Sequence, residues 1–152
     1  MNLADIIPLN NIYLDVNASS KKALFKEVAA KISNKLNIDH NNLLDKLNER
    51  EKLGSTGIGN GIAIPHSKVN GIKKVFSLFL RTKNLIDFSS SDLVGVDIIF
   101  VIIAPEESKT DHLLALSEIS KFLRNNKNKE ALRKLKTAHA IFELLSKTNE
   151  DS

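Results

Sequence analysis

The 152-residue sequence has no cysteine and no tryptophan, one tyrosine and three prolines. Without cysteine there is no disulfide framework, no thiolate metal ligand and no thiol nucleophile. The first ten residues, MNLADIIPLN, contain no basic segment and no long apolar run, so no secretory signal is expected. The longest apolar stretch, Val96 to Ala104, carries Asp97 and is far too short to span a bilayer. A cytoplasmic protein without membrane insertion is expected. Internal repeats and low-complexity linkers are also missing. Residues 1–152 therefore read as a single domain, with 148–152 a frayed tail. Hydrophobic residues make up 42% and charged residues 26%, enough for a core inside an ordinary polar surface.

The net charge is +4. Much of the excess lies in one C-terminal run, Lys121, Arg124, Lys127, Lys129, Arg133, Lys134 and Lys136, opposed there by Glu130. Aromatic residues do not alternate with these cations as a single-strand binding surface requires, so nucleic acid is not the expected partner. A solvated helical face is the plain reading, and a patch for an acidic protein the functional one.

Hydrophobic periodicity gives the elements. Ile12 and Leu14 alternate with polar neighbours as a first strand. Leu24, Phe25, Val28, Ala29, Ile32 and Leu36 recur at helical spacing after the capping candidates Ser19 and Ser20. A second helix is predicted over Asn41 to Lys52. Ile62 and Ile64 alternate around Ala63 in a short strand that should stop at Pro65, which cannot donate to a ladder. Val75 to Arg81 is a strand with Phe76, Leu78 and Leu80 on one side. Val96 to Ile103, almost continuously apolar, should be a central strand buried on both faces and ended by Pro105. Ser108 and Asp111 form a capping box for a helix carrying Leu113, Leu116, Ile119 and Leu123. Further helices are expected over Asn128 to Leu135 and Ala138 to Ser146. The predicted class is α/β, a single-domain sandwich with a mixed sheet flanked by helices on both faces.

The chemically suggestive segment runs from Arg50 to His66. Between Gly54 and Gly61 it holds four of the six glycines, Gly54, Gly57, Gly59 and Gly61, so regular structure is not expected there. Such a loop permits positive φ and close approach of a ligand, and its free amides can bind an anion. Ser55, Thr56 and Asn60 add side-chain donors, and Arg50 offers a planar fork suited to phosphate oxygens. The order G-x-x-G-x-G-x-G is neither a P-loop nor a dinucleotide fingerprint, because no Gly-Lys-Ser/Thr follows and no helix opens after it. The loop could serve a phosphate without serving a nucleotide; plain turns are the alternative. Apolar loop residues such as Ile58 and Ile62 are candidates for a docking surface.

His66 and His112 each follow a strand end marked by proline. If those strands are parallel neighbours, the two rings could converge at one sheet edge. The helix start around His112 favours anions and disfavours an imidazolium, which should keep that ring neutral. His40 and His139 read as ordinary surface histidines, and His112 could be no more than a helix-start residue. Arg50 and Glu51 could likewise be no more than a helix end.

The run Arg50 to His66, with GSTGIGNGIAIPH at its heart, resembles the enzyme IIA components of the bacterial phosphotransferase system. Among the fructose, mannitol and nitrogen-regulatory branches it is most similar to the nitrogen type. The likeness extends to the apolar strand ending in Pro105 and the helix start SKTDHLLALSEIS. The resemblance implies a mixed sheet flanked by helices and a tele-phosphohistidine at His66. It also implies that His112 and Arg50 lie in the same site, with Ser55, Thr56 and Asn60 the available further donors. It implies a histidine-containing phosphocarrier protein as phosphoryl donor, itself charged from phosphoenolpyruvate by an enzyme I. Regulated target proteins such as transporters or kinases would read the phosphorylation state. The sugar-specific alternative passes the phosphoryl group to an enzyme IIB during transport. Ser67 departs from the pattern, since many relatives have glycine after the active histidine, which leaves the loop geometry there open.

The chemistry fits such a role. A neutral imidazole is a competent nucleophile, and a phosphoramidate donor already carries an activated phosphoryl group. Neither ATP, a cofactor nor a metal is then needed. A metal hydrolase using His66, His112 and Asp111 is the distant rival.

Overall fold

The computed structural model describes residues 2–147, so the expected frayed tail at 148–152 lies outside the described residues. The longest apolar run is the middle of the sheet. Strand β6 (Val96–Pro105) pairs antiparallel with β5 (Phe76–Ile86) on one side. On its other side it pairs parallel with both β3 (Ile62–Ala63) and β4 (His66–Val69). Strand β1 (Ile12–Val16) adds parallel to β5, and β2 (Gly57–Gly59) adds antiparallel to β3. The result is a six-stranded mixed sheet in the order β1-β5-β6-β3-β2, with β4 also on β6.

Alternation along β6 divides its apolar residues between two cores. Ile99, Val101 and Ile103 pack with Leu24, Phe25, Val28, Ile32, Leu43 and Leu47. Those partners come from α2 (Lys21–Leu36) and α3 (His40–Lys52). Ile98, Phe100 and Ile102 face the opposite cluster, where Ala115, Ile119, Phe122, Leu132 and Ile141 pack. That layer is built by α1 (Leu3–Ile6), α4 (Asp111–Leu123), α5 (Asn126–Lys134) and α6 (Ala138–Ser146). Phe100 packs edge-on against Phe79 at 5.2 Å and Phe122 at 6.4 Å between ring centroids. The sandwich expected from sequence is the observed fold.

Several local expectations need correction. The glycine segment is not wholly irregular, because Gly57–Gly59 forms an edge strand against β3. The chain does not leave the sheet at Pro65. The missing N–H interrupts the ladder, the Pro65 carbonyl still accepts from Ile102 N–H at 3.0 Å, and pairing resumes at His66. The Ser108–Asp111 box is half formed. Ser108 Oγ accepts the Asp111 amide at 3.0 Å, but Thr110 is the N-cap and the Ser108 amide donates to Pro105 instead. Leu113 lies on the outer face of α4 and is exposed; Ala115 and Phe122 fill the inner face with Ile119. In the basic run, Arg133 is not merely solvated: it pairs with Asp97 at 3.1 Å and donates to the Asn60 carbonyl. No helix among the described residues is long and apolar enough to cross a membrane.

Candidate active site

His66 is the first residue of β4, set directly after the Pro65 interruption. Its Nδ1 lies 2.8 Å from the Ile64 carbonyl oxygen. A carbonyl can only accept, so in the neutral ring the proton sits on Nδ1 and Nε2 presents its lone pair. Arg50, in the last turn of α3, directs Nε at that nitrogen, 3.4 Å away. Its NH1 is anchored on the Gly54 carbonyl at 2.9 Å, so the guanidinium is held by the loop it serves.

His112 enters the same cleft from the first turn of α4, as the parallel pairing of β4 and β6 allows. The cleft, of about 760 Å³, is lined by Arg50, Leu53, His66, Ser67, Lys68 and His112. Burial pushes the His112 pKa below the ordinary histidine value. The charges of Lys68 and His66 add to this, and Asp111 opposes it. His112 Nδ1 is buried with no hydrogen-bond partner. A neutral ring carries one N–H to donate and one bare nitrogen to accept.

The structure brings together Arg50, His66 and His112. It does not bring Ser55, Thr56 or Asn60 to the cleft. Ser55 Oγ donates to the Phe88 carbonyl and accepts the Gly57 amide. Thr56 is buried, and both its amide and its hydroxyl are bound by the Glu51 carboxylate. Asn60 sits at a left-handed turn (φ 58°), its amide bound to Asp92 and its carbonyl to Arg133. The glycines serve close packing as well as turning. A Cβ on Gly57 would lie 2.0 Å from Ser90 Oγ.

Lys68 was not legible as a site residue. Two residues after His66 on the same strand, it lines the cleft and donates to the Ser108 carbonyl at 2.8 Å, tying β4 to the approach of α4. Alternation along β4 was the available signal, hidden by the expectation that the strand ended at Pro65. Ser67 is accommodated without strain, because β4 is extended there and its φ is not positive. Ile62 is buried and offers no docking surface. Leu53 is an exposed apolar residue on the cleft wall, and Leu113 and Leu114, next after His112 in the chain, are also exposed. Among the described residues no three His, Cys, Asp or Glu side chains gather into a metal-binding group, so the hydrolase reading lacks a third ligand.

Residues 5–148 match the family model described as the phosphoenolpyruvate-dependent sugar phosphotransferase system, EIIA 2. A nitrogen regulatory protein of Bradyrhizobium diazoefficiens is 37% identical, over 96% of this chain and 95% of its own. A nitrogen regulatory protein of Pseudomonas aeruginosa is 33% identical over 95% of both chains. The crystal structure of nitrogen regulatory protein IIA-Ntr from Neisseria meningitidis superposes with a TM-score of 0.88. It is 34% identical, covering 93% of this chain and 97% of that one. The IIA mannitol structure from Escherichia coli, at 20% identity and a TM-score of 0.75, shares the fold. Matched by that model over nearly its whole length, this protein belongs to the EIIA type 2 family of the phosphotransferase system.

Proposed function

We propose that this protein accepts a phosphoryl group on Nε2 of His66 from a histidine-containing phosphocarrier protein in the cytoplasm. By its phosphorylation state it regulates target proteins, as the nitrogen-regulatory type of enzyme IIA. The observation that carries the reading is the orientation of one ring. Nδ1 is engaged by the Ile64 carbonyl, and Nε2 faces the cleft shared with Arg50 and His112.

In the transfer, the Nε2 lone pair forms a bond to phosphorus as the bond from phosphorus to the donor imidazole breaks. The electron pair of the broken bond returns to the donor nitrogen. The phosphoryl group is already activated, so the site must align two rings and stabilise charge on the equatorial oxygens. The Arg50 guanidinium, displaced from the lone pair by the incoming phosphorus, is placed to bind those oxygens. His112, kept neutral by burial, has one ring N–H as a second donor, and the Lys68 ammonium is a nearby positive charge. Leu53 supplies exposed apolar surface at the cleft for a protein partner. The product carries about two added negative charges there, a change a target can read without refolding of the chain.

Two measurements test this. Incubation with phosphoenolpyruvate, enzyme I and the phosphocarrier should add one phosphoryl group by intact mass, and His66→Ala should add none. Affinity capture with the two forms should retain different proteins. Onward transfer to a sugar-specific enzyme IIB would overturn the regulatory assignment.

A further inference from the structure

The side chains of Glu51 and Thr56 do no work in the transfer as described, yet they are hydrogen-bonded to each other where α3 meets the glycine segment. The Glu51 side chain is 7% exposed. Its carboxylate accepts the Thr56 amide at 2.8 Å and the Thr56 hydroxyl at 2.6 Å. Lys21 Nζ stands 3.8 Å away and also donates to the Phe88 carbonyl, which accepts from Ser55 Oγ as well. From Thr56 the connection continues. The Thr56 carbonyl accepts the Ile64 amide at 3.0 Å, and the Ile64 carbonyl accepts Nδ1–H of His66 at 2.8 Å.

We propose that Glu51 is a positioning residue for His66. By clamping Thr56 it holds the carbonyl that binds the Ile64 amide and so steadies the backbone at Ile64, whose own carbonyl selects the Nδ1–H tautomer that leaves Nε2 as the acceptor. The hydrogen bonds of the series, joined through the backbone of Thr56 and Ile64, each have donor and acceptor settled by chemistry. Carboxylate and carbonyl can only accept, amide and hydroxyl donate. The device is needed at this point because Pro65 has no N–H with which to continue the ladder beside Ile64. The serine and threonine after Gly54 thus serve the acceptor histidine through the backbone, not a phosphate directly. The proposal rests on His66 as acceptor for its functional meaning but not for its structural test.

Long-range proton–nitrogen spectra of the full chain, labelled with nitrogen-15 at histidine, read the tautomer above the titration range. In the wild type Nδ1 of His66 should be the protonated nitrogen and Nε2 the bare one. Glu51→Gln keeps the shape but opposes an amide N–H to the Thr56 donors. It should give a mixture of tautomers and slow phosphorylation about tenfold, the scale of one lost hydrogen bond to a charged group. Thr56→Ser keeps the hydroxyl and should behave as wild type, whereas Thr56→Val should shift the tautomer in the same direction by less. A folded Glu51→Gln protein with unchanged His66 nitrogens and unchanged rate would reduce Glu51 to a loop staple. Should Glu51→Gln fail to fold, unchanged spectra and rate in Thr56→Val would overturn the positioning role equally. Wild-type protein that takes no label at His66 would refute the functional reading, while the tautomer shift would still decide the role of Glu51.

Discussion

Replacing Arg50 separates charge from geometry at the cleft. In the unphosphorylated chain its Nε is 3.4 Å from His66 Nε2, and its NH1 is tied to the Gly54 carbonyl at 2.9 Å. A phosphorus bonded to Nε2 would carry its oxygens into reach of the same guanidinium without moving the anchor. One hydrogen bond between charged partners contributes about 1.5–3 kcal/mol, so Arg50→Ala should slow transfer from the phosphocarrier by roughly ten- to a hundredfold. Arg50→Lys retains the charge but loses the planar fork and the loop anchor, and should recover only part of that rate. The assay is single-turnover transfer from phosphorylated carrier, followed by intact mass, with unfolding curves to confirm that the variants are folded. Rates for Arg50→Ala within twofold of wild type would refute the role of the guanidinium in charge stabilisation. Full recovery in Arg50→Lys would show that only the charge matters.

Further outcomes follow from the same geometry. His112 should titrate below the ordinary histidine value in proton spectra, and Lys68→Met should raise its pKa toward that value by removing a nearby positive charge. Because the folded state holds this proton less tightly than the unfolded state, its contribution to stability is present above about pH 6.5. That contribution is lost as pH falls through the lowered pKa, which urea unfolding as a function of pH will show. His112→Ala should slow transfer or shorten the lifetime of the phosphorylated form yet still permit labelling at His66, with His112→Gln retaining more function. Label mapped to His112 itself would reverse these roles. Gly61→Ala should destabilise the fold by about 2–3 kcal/mol, lowering Tm by about 6–10 °C, through left-handed strain and loss of the Arg133 contacts. Gly61 has φ +78°, and a Cβ there would lie 2.5 Å from an Arg133 nitrogen. A shift within 1 °C would show that the loop relaxes freely.

What the sequence disclosed depended on how far each signal reached. Val96 to Ile103 was legible as a central strand because a continuous apolar run has no solvent face to present. The helix of residues 21–36 was legible from its period and from the capping candidates Ser19 and Ser20. Strand β4 was hidden, since a proline reads as a stop and only the partner strand shows that pairing resumes beyond it. Leu113 reads as core by spacing, but Ala115, Ile119, Phe122 and Leu123 form the buried face of α4 and Leu113 is left exposed. At the site, His66, His112 and Arg50 stand out in the sequence because imidazoles and a guanidinium bear recognisable chemistry. Ser55, Thr56 and Asn60 read as phosphoryl ligands because a hydroxyl or amide in a glycine loop carries no mark of its partner. Their partners, the Phe88 carbonyl, Glu51, Asp92 and Arg133, lie as far as 73 positions away in the chain.

The position of phosphorus on the imidazole tests the central claim most directly. Nitrogen-15 spectra of the phosphorylated protein, labelled at histidine, report coupling to phosphorus at whichever ring nitrogen carries it. With Nδ1 held by the Ile64 carbonyl and Nε2 open to the cleft, the coupling should appear at Nε2 of His66 and at no other histidine nitrogen. Coupling at Nδ1 of His66, or at any nitrogen of His40, His112 or His139, would contradict the claim.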